Sequence, residues 1–136
     1  MTYATTQDLI DRFSQAELDQ VADADNDGAA DAEPVARALA DADAEIDSAL
    51  VGRYALPVAA PVPELLVRIA CDLARESLHA DRPTEVIQDR AKVARVLLAD
   101  LAAGRRRLDV AAPPAAESSE GLVEIVTGRR SSPFGV

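Results

Sequence analysis

Apolar residues recur at helical spacing in three long segments of the chain, at 32–52, 63–79 and 83–103. Within each segment they return every three or four positions, which gathers them on one face of an α-helix. The segment 63–79 has the widest apolar face and is therefore predicted to be the most buried helix. The apolar positions of the first segment are Val35, Leu39, Ala42, Ile46 and Leu50, and those of the second include Leu66, Ile69, Ala70 and Leu73.

Two shorter helices are predicted before these. Residues 5–13 begin with Thr5, a residue that favours helix N-termini, followed three positions later by Asp8. Ser14 and Glu17 have the spacing of a capping box, so a second short helix is expected to start there.

The face of the third long helix is less regular. Ile87, Ala94, Leu98 and Leu101 form one apolar line along it. The additional residues Val86, Val93 and Leu97 are expected to widen that buried face.

Prolines and glycines divide these helices. Pro34 is tolerated only in a first turn, so the first long helix is expected to begin near Asp31 or Ala32, and Gly52 to end it. The connector "RYALPVAAPVP" contains three prolines and is predicted to be extended. After Gly104 the chain is biased towards Pro, Ala, Ser and Gly, and only "LVEIVTG" has β character. The predicted fold is all-α: a small bundle of three long and two short helices over 1–108, with an extended C-terminal arm over 109–136.

Charge is unevenly distributed over the 136 residues. The formal net charge is −10, yet residues 1–52 alone carry thirteen acids and two arginines, whereas residues 53–136 carry eleven acids and twelve bases. This asymmetry would let copies attract one another or steer a charged partner, although it is also compatible with an ordinary solvated surface. The overall acidity argues against a protein that coats DNA. The arginines at 105–107 fit an acidic partner, DNA in a channel, or a helix end whose dipole they complement.

Neither disulfides nor membrane insertion are expected. Cys71 is the only cysteine and lies in an apolar run, so it is predicted to be a small buried residue. The start "MTYATTQDLI" lacks the features of a signal peptide, and no segment approaches the length of a membrane span. We therefore expect a soluble protein made in a reducing cytoplasm.

The stretch "DADNDGAAD" at 23–31 resembles the start of an EF-hand calcium loop. Gly28 stands where such a loop turns sharply, but the last ligand position, where a glutamate belongs, is Pro34, and Glu33 comes one residue early. Two interpretations stay open: a calcium site, or an acidic turn in which Asp31 caps the following helix. The candidate metal ligands are Asp23, Asp25, Asp27, the carbonyl of Ala29, and Asp31.

Nothing else in the chain has the pattern of a catalytic or cofactor site, so we expect no enzyme activity and no required cofactor, with calcium the one candidate ion. The single histidine, His79, is placed to end a helix. Helical acids could pair across a bundle to hold a metal, but such sites usually take a Glu-x-x-His pair from each of two helices, and a chain with a single histidine supplies at most one such pair. The acids concerned are Glu45, Asp47, Asp72 and Glu76.

Three stretches together resemble a family of Mu-like phage and prophage proteins: "YATTQDLIDRF", the acidic "DADNDGAAD", and "DSALVGRYALPV" continuing to "LLVRIACDLAR". The resemblance covers about residues 2–108. That family is similar in size and helical layout to the head–tail connector proteins of long-tailed phages, also called adaptors or head-completion proteins.

The resemblance implies a structural virion protein. Such adaptors form a ring, often of twelve copies, beneath the portal protein and bind a stopper, tail-terminator or other neck protein on the other side. Packaged DNA would pass through the ring without sequence-specific binding, and the location would be the virion neck at the head–tail interface.

Two rival functions stay open. One is a calcium-responsive helical binding module, in which the loop at 23–31 changes a surface. The other is an acidic regulatory protein that binds a host factor as a nucleic-acid mimic.

Overall fold

The computed structural model describes residues 2–108, which form five α-helices. No strand occurs within that range, so the prediction of a small all-α bundle with three long and two short helices is confirmed. The predicted arm at 109–136, with its β-like segment, lies outside the described residues. The helices are α1 (Thr6–Phe13), α2 (Gln15–Val21), α3 (Ala32–Leu50), α4 (Glu64–Leu78) and α5 (Glu85–Ala103).

Helix α4 lies at the centre of the bundle and packs against α3, α5 and α1. The prediction that it is the most buried helix is confirmed. Burial raises the pKa of the Cys71 thiol to about 12, because the thiolate would be formed without water around it. The buried residues of α4 are Leu66, Ile69, Ala70, Cys71, Asp72, Leu73 and Ala74.

The two short helices begin as the sequence predicts, with one difference. Thr5 and Asp8 form a reciprocal capping box at the start of α1. At the start of α2, the hydroxyl of Ser14 accepts a hydrogen bond from the N–H of Glu17 at 3.2 Å. The Glu17 carboxylate contacts α4 instead of returning to Ser14, so this capping box forms in one direction only.

Helix α3 ends two residues earlier than predicted, at Leu50. The carbonyl of Leu50 accepts the N–H of Arg53 at 3.0 Å, and Gly52 has a φ of 87°. These features define a tight turn whose third residue must be left-handed, which explains the glycine. After this turn, Arg53 Nε donates a hydrogen bond to the carbonyl of Ala102, 2.6 Å away, at the C-terminal end of α5.

The predicted inner face of α5 is confirmed, and Leu97 widens it as a half-buried residue packed against the core, but the expected burial of Val86 and Val93 is wrong. Ile87, Ala94, Leu98 and Leu101 are buried, as predicted. Val86 and Val93 are 63% and 48% exposed, and Val96 is 59% exposed. At 100° per residue, these three valines share the flank of α5 that faces away from α3 and α4. We call Val86, Val93 and Val96 the valine face.

None of the helices in the described range combines the length and the apolar character that crossing a bilayer requires.

Candidate functional site

The loop between α2 and α3, residues 23–31, is closed at its base by hydrogen bonds. The N–H of Asp31 donates to the carbonyl of Ala22 at 2.8 Å. One residue earlier, the N–H of Ala30 donates to Asp19 Oδ1 at 2.9 Å. These two hydrogen bonds hold the ends of the aspartate loop together against α2 without a bound ligand.

Inside the loop, carboxylates accept backbone N–H groups. Asp23 accepts from Asp27 at 2.9 Å and from Gly28 at 2.8 Å. Asp27 accepts from the N–H of Ala29 at 2.9 Å. Gly28 has a φ of 89°, the sharp turn that its position in the motif predicts. As a result, Asp23, Asp25 and Asp27 each place a carboxylate oxygen within 4.8 Å of the others.

The other predicted ligands behave differently. The Asp31 carboxylate accepts the N–H groups of Ala24 at 2.7 Å and Asp25 at 3.3 Å. Asp31 therefore occupies the N-cap position of α3 but makes no side-chain cap bond, which corrects the alternative that it caps the helix.

Glu33 does not replace the missing last ligand. Its side chain is 89% exposed and lies 3.8 Å from Arg37, one turn further along α3. The backbone N–H of Ala29 contacts Asp27, and the predicted role of its carbonyl as a ligand stays a prediction.

The loop carboxylates titrate unequally. Desolvation acts to raise the pKa of Asp23, but the N–H donors of Gly28 and Asp27 outweigh it and hold that pKa below its ordinary value. The pKa of Asp25 is raised, by desolvation, by its hydrogen bond with Asp23 and by the negative charges of Asp27 and Asp31. Three carboxylates at this spacing repel one another, and a hard cation with oxygen ligands would relieve that repulsion.

A second feature is a cavity of about 380 Å³ between α3, α4 and α5. Its rim carries Asp41, Glu45 and Glu76, and Ala80 and Pro83 contribute apolar surface. We call it the acidic groove.

One guanidinium ties the three walls of the acidic groove together. Arg95 of α5 donates to Glu45 of α3 and to Glu76 of α4, each at 2.8 Å. The hydrogen bonds from Arg95 to Glu76 and Glu45 raise the pKa of the guanidinium above its ordinary value. Asp41 is exposed and takes no part in an ion pair within residues 2–108.

The helical acids considered as possible metal ligands are each occupied by a donor from another element. The buried carboxylate of Asp72 lies 3.0 Å from Arg90 Nε and 3.9 Å from Arg68 Nε. Asp47 accepts a hydrogen bond from the Tyr3 hydroxyl. Together with the two glutamates that Arg95 binds, all four acids therefore contribute to bundle packing.

A third cluster joins α2 to α4 and was not predicted. Glu17 accepts hydrogen bonds from Arg75 at 2.8 Å and 2.9 Å, and His79 Nε2 lies 3.1 Å from the same carboxylate. Arg75 also lies over the ring of Phe13, 4.1 Å from its centre. Burial acts to raise the pKa of Glu17, but the hydrogen bonds from Arg75 and His79 outweigh it and lower that pKa. His79 ends α4, as predicted, but its contact with Glu17 spans 62 positions, and no local pattern indicates it.

Comparison with known proteins identifies the relatives of this chain. The family described as "Bacteriophage Mu, Gp36" matches residues 3–126. "Gene product J" of Escherichia phage Mu is 41% identical over 88 residues, which cover 64% of this chain and 62% of that protein. "Mu-like prophage FluMu protein gp36" of Haemophilus influenzae is 40% identical over 83 residues, which cover 61% of this chain and 58% of that protein. The aligned region thus spans about three fifths of each relative.

The resemblance to Mu-like phage proteins is confirmed, but its expected extent, about residues 2–108, is too short. The family match continues to residue 126 and includes much of the segment predicted as an arm. Because the match extends over most of its length, the chain belongs to the bacteriophage Mu Gp36 family.

Proposed function

We propose that this chain is a structural virion protein: a head–tail connector, or adaptor, that assembles as a ring beneath the portal and joins it to the next neck or tail protein. Membership of a Mu-like phage family supports a role in the phage particle. The ring, the portal contact and the location in the virion neck belong to the proposal.

The observation that carries the proposal is the valine face of α5. Val86, Val93 and Val96 expose about half or more of their surface along some 15 Å of one helix, at 1.5 Å per residue. Exposed apolar patches on a protein surface mark contacts with other proteins, and we assign the valine face to such a contact. An adaptor needs an apolar contact of this kind because it is held between two other proteins.

The described side chains favour an assembly role over catalysis. Cys71 is fully buried with a raised thiol pKa, so it offers no accessible nucleophile. His79 is held by Glu17 at the end of α4, outside the acidic groove. Both residue types best suited to nucleophilic or proton-transfer chemistry are therefore engaged in the packing of the bundle.

The decisive experiment counts the chain in purified virions by mass spectrometry, relative to the portal protein. We expect a ratio near one to one, and absence from virions would refute the proposal. A complementation assay then tests the valine face: Val93→Asp should greatly reduce incorporation, because burying a charge in an apolar contact is costly. Lys92→Asp, on the neighbouring exposed position, is the control and should be incorporated normally.

A calcium-responsive binding module is the second candidate, favoured by the convergence of Asp23, Asp25 and Asp27. The two candidates differ in what calcium changes. A module should alter its affinity for its partner when calcium is added, whereas an adaptor needs at most a static ion. Calcium titration of the purified chain, with Asp23→Asn and Asp25→Asn as controls, tests the ion itself: a rise in the unfolding temperature that both variants lose would indicate an occupied loop.

A further inference from the structure

The acidic groove and the arginines after α5 are complementary surfaces at different places on the molecule. We infer that Arg106 and Arg107 of one copy enter the acidic groove of a second copy, which makes the contact between neighbouring copies head-to-tail. This inference rests on the proposed function, since it specifies the contact that would build the ring.

The groove offers a site for a basic side chain. Its rim carries three acids, of which Arg95 occupies two, so negative charge is left over. Asp41 is exposed on that rim without an ion pair among residues 2–108. The apolar surface of Ala80 and Pro83, which also line the groove, suits the aliphatic stem of an arginine, while its guanidinium reaches the carboxylates.

Arg106 and Arg107 are held on a fixed backbone and are accessible to a second copy. The N–H groups of Arg105 and Arg106 donate to the carbonyl of Asp100 at 2.9 Å and 3.2 Å, which fixes the backbone directly after α5. Arg105 pairs with the Asp100 carboxylate at 2.9 Å. Arg106 and Arg107 are exposed and form no ion pair with any residue from 2 to 108. Leu108, which follows them, is buried and donates its N–H to the Tyr54 hydroxyl, so the run is anchored on both sides.

Within one copy, the acidic groove and the arginines after α5 do not contact each other. On α5 the groove is lined by Gln88 and Arg95, which precede the helix end at Ala103 by about 22 Å and 12 Å, at 1.5 Å per residue. A contact between two different surfaces is heterologous, and repeated contacts of this kind close into a ring or continue as a filament. The valine face lies on the opposite side of α5 from Gln88 and Arg95, so it stays accessible to another protein when the groove is filled.

The test cross-links full-length copies through engineered cysteines. One copy carries Ser77→Cys in the lining of the groove and the other Ala103→Cys beside the arginines, so that Asp41, Arg106 and Arg107 all stay in place. The two copies are mixed in equal amounts, and a short bis-maleimide joins neighbouring thiols. The natural Cys71 is fully buried and does not compete. We expect mixed dimers to exceed the half that random pairing gives, with the excess lost at high ionic strength, where exposed charges are screened.

Matched variants make the result specific. Asp89→Cys and Lys92→Cys exchange an exposed acid and an exposed base elsewhere on α5, and this pair should cross-link at random. Adding Arg106→Glu to the Ala103→Cys copy should remove the excess of mixed dimers. Random pairing of the groove and arginine copies, or an excess that survives high salt and the Arg106→Glu change, would overturn the inference.

The cross-linking experiment and the virion measurement can fail independently of each other. If virions contain the chain at about one copy per portal subunit but cross-linking is random, the adaptor role stands and this contact is wrong. If mixed dimers predominate but the chain is absent from virions, the head-to-tail contact stands and the adaptor role is wrong.

Discussion

The ion pairs of the buried Asp72 carboxylate predict that losing its partner Arg90 destabilises the fold more than losing Asp72 itself. Its side chain is only 3% exposed, whereas the side chains of its partners Arg90 and Arg68 are 41% and 46% exposed. Arg90→Ala leaves a buried charge with a single partner 3.9 Å away, beyond hydrogen-bond distance. Asp72→Ala, in contrast, leaves two guanidinium groups that water can solvate. We therefore expect Arg90→Ala to be the more destabilising change.

The magnitude follows from the same geometry. Removing one partner of a fully buried ion pair typically costs about 3–5 kcal/mol, and a charged hydrogen bond contributes about 1.5–3 kcal/mol. Because Arg68 remains and can move closer, Arg90→Ala should cost about 2–3 kcal/mol. Asp72→Ala should cost about 1 kcal/mol, since its main effect is a small gap in the packing.

Urea unfolding followed by circular dichroism measures both values, with Lys92→Ala as a control of about zero because Lys92 is exposed. The double variant should cost less than the sum of the two single changes, by about 1–2 kcal/mol. If Asp72→Ala were as destabilising as Arg90→Ala, the uncompensated buried carboxylate would not be the main cause of the lost stability, and the reasoning would fail.

Three further predictions concern single positions. Gly104 has a φ of 81° and an added Cβ would meet the Arg53 guanidinium at about 3 Å, so Gly104→Ala should destabilise the chain by about 1–2 kcal/mol in the same urea assay. Burial acts to raise the pKa of Glu17, but its hydrogen bonds lower it, so the stability that this residue contributes is present above about pH 4.5 and lost as the pH falls through its lower, folded-state pKa. Glu17→Gln should accordingly lose less stability than the unmodified chain between about pH 5 and pH 3, and equal acid slopes would contradict this. Tyr3→Phe removes the hydroxyl that donates to Asp47 and should cost about 1 kcal/mol of stability. Burial, followed by that hydrogen bond, raises the pKa of Tyr3. In a spectroscopic alkaline titration, the tyrosine that ionises at the highest pH should therefore be missing from the variant.

The local parts of the fold could be predicted from the sequence because their causes are local. Pro34 and the spacing of apolar residues located α3, and Thr5 with Asp8 located the start of α1. Helix ends were less accurate, since one or two residues there depend on turn geometry, as at Gly52.

The long-range contacts could not be predicted because they depend on how the helices pack against one another. Periodicity identifies an apolar face but not how much of it the neighbouring helices cover, so Val86 and Val93 were expected to be buried. Glu17 has a capping position and also a partner on α4, and only the packed structure decides between them. At the aspartate loop, the motif predicts the convergence of Asp23, Asp25 and Asp27, but it does not indicate that Asp31 accepts the N–H groups of Ala24 and Asp25.

The way α2 is attached has a consequence for local opening of the native state. This helix packs mainly against α1, and it reaches α4 largely through the Glu17 carboxylate. Its buried apolar residue is Leu18, followed by Ala22 just after the helix. Releasing α2 therefore exposes little apolar surface and leaves α3, α4 and α5 packed, so amide hydrogens of α2 should exchange with solvent sooner than those of α4. The aspartate loop follows directly on α2, and it can thus change its arrangement while the bundle keeps its native structure.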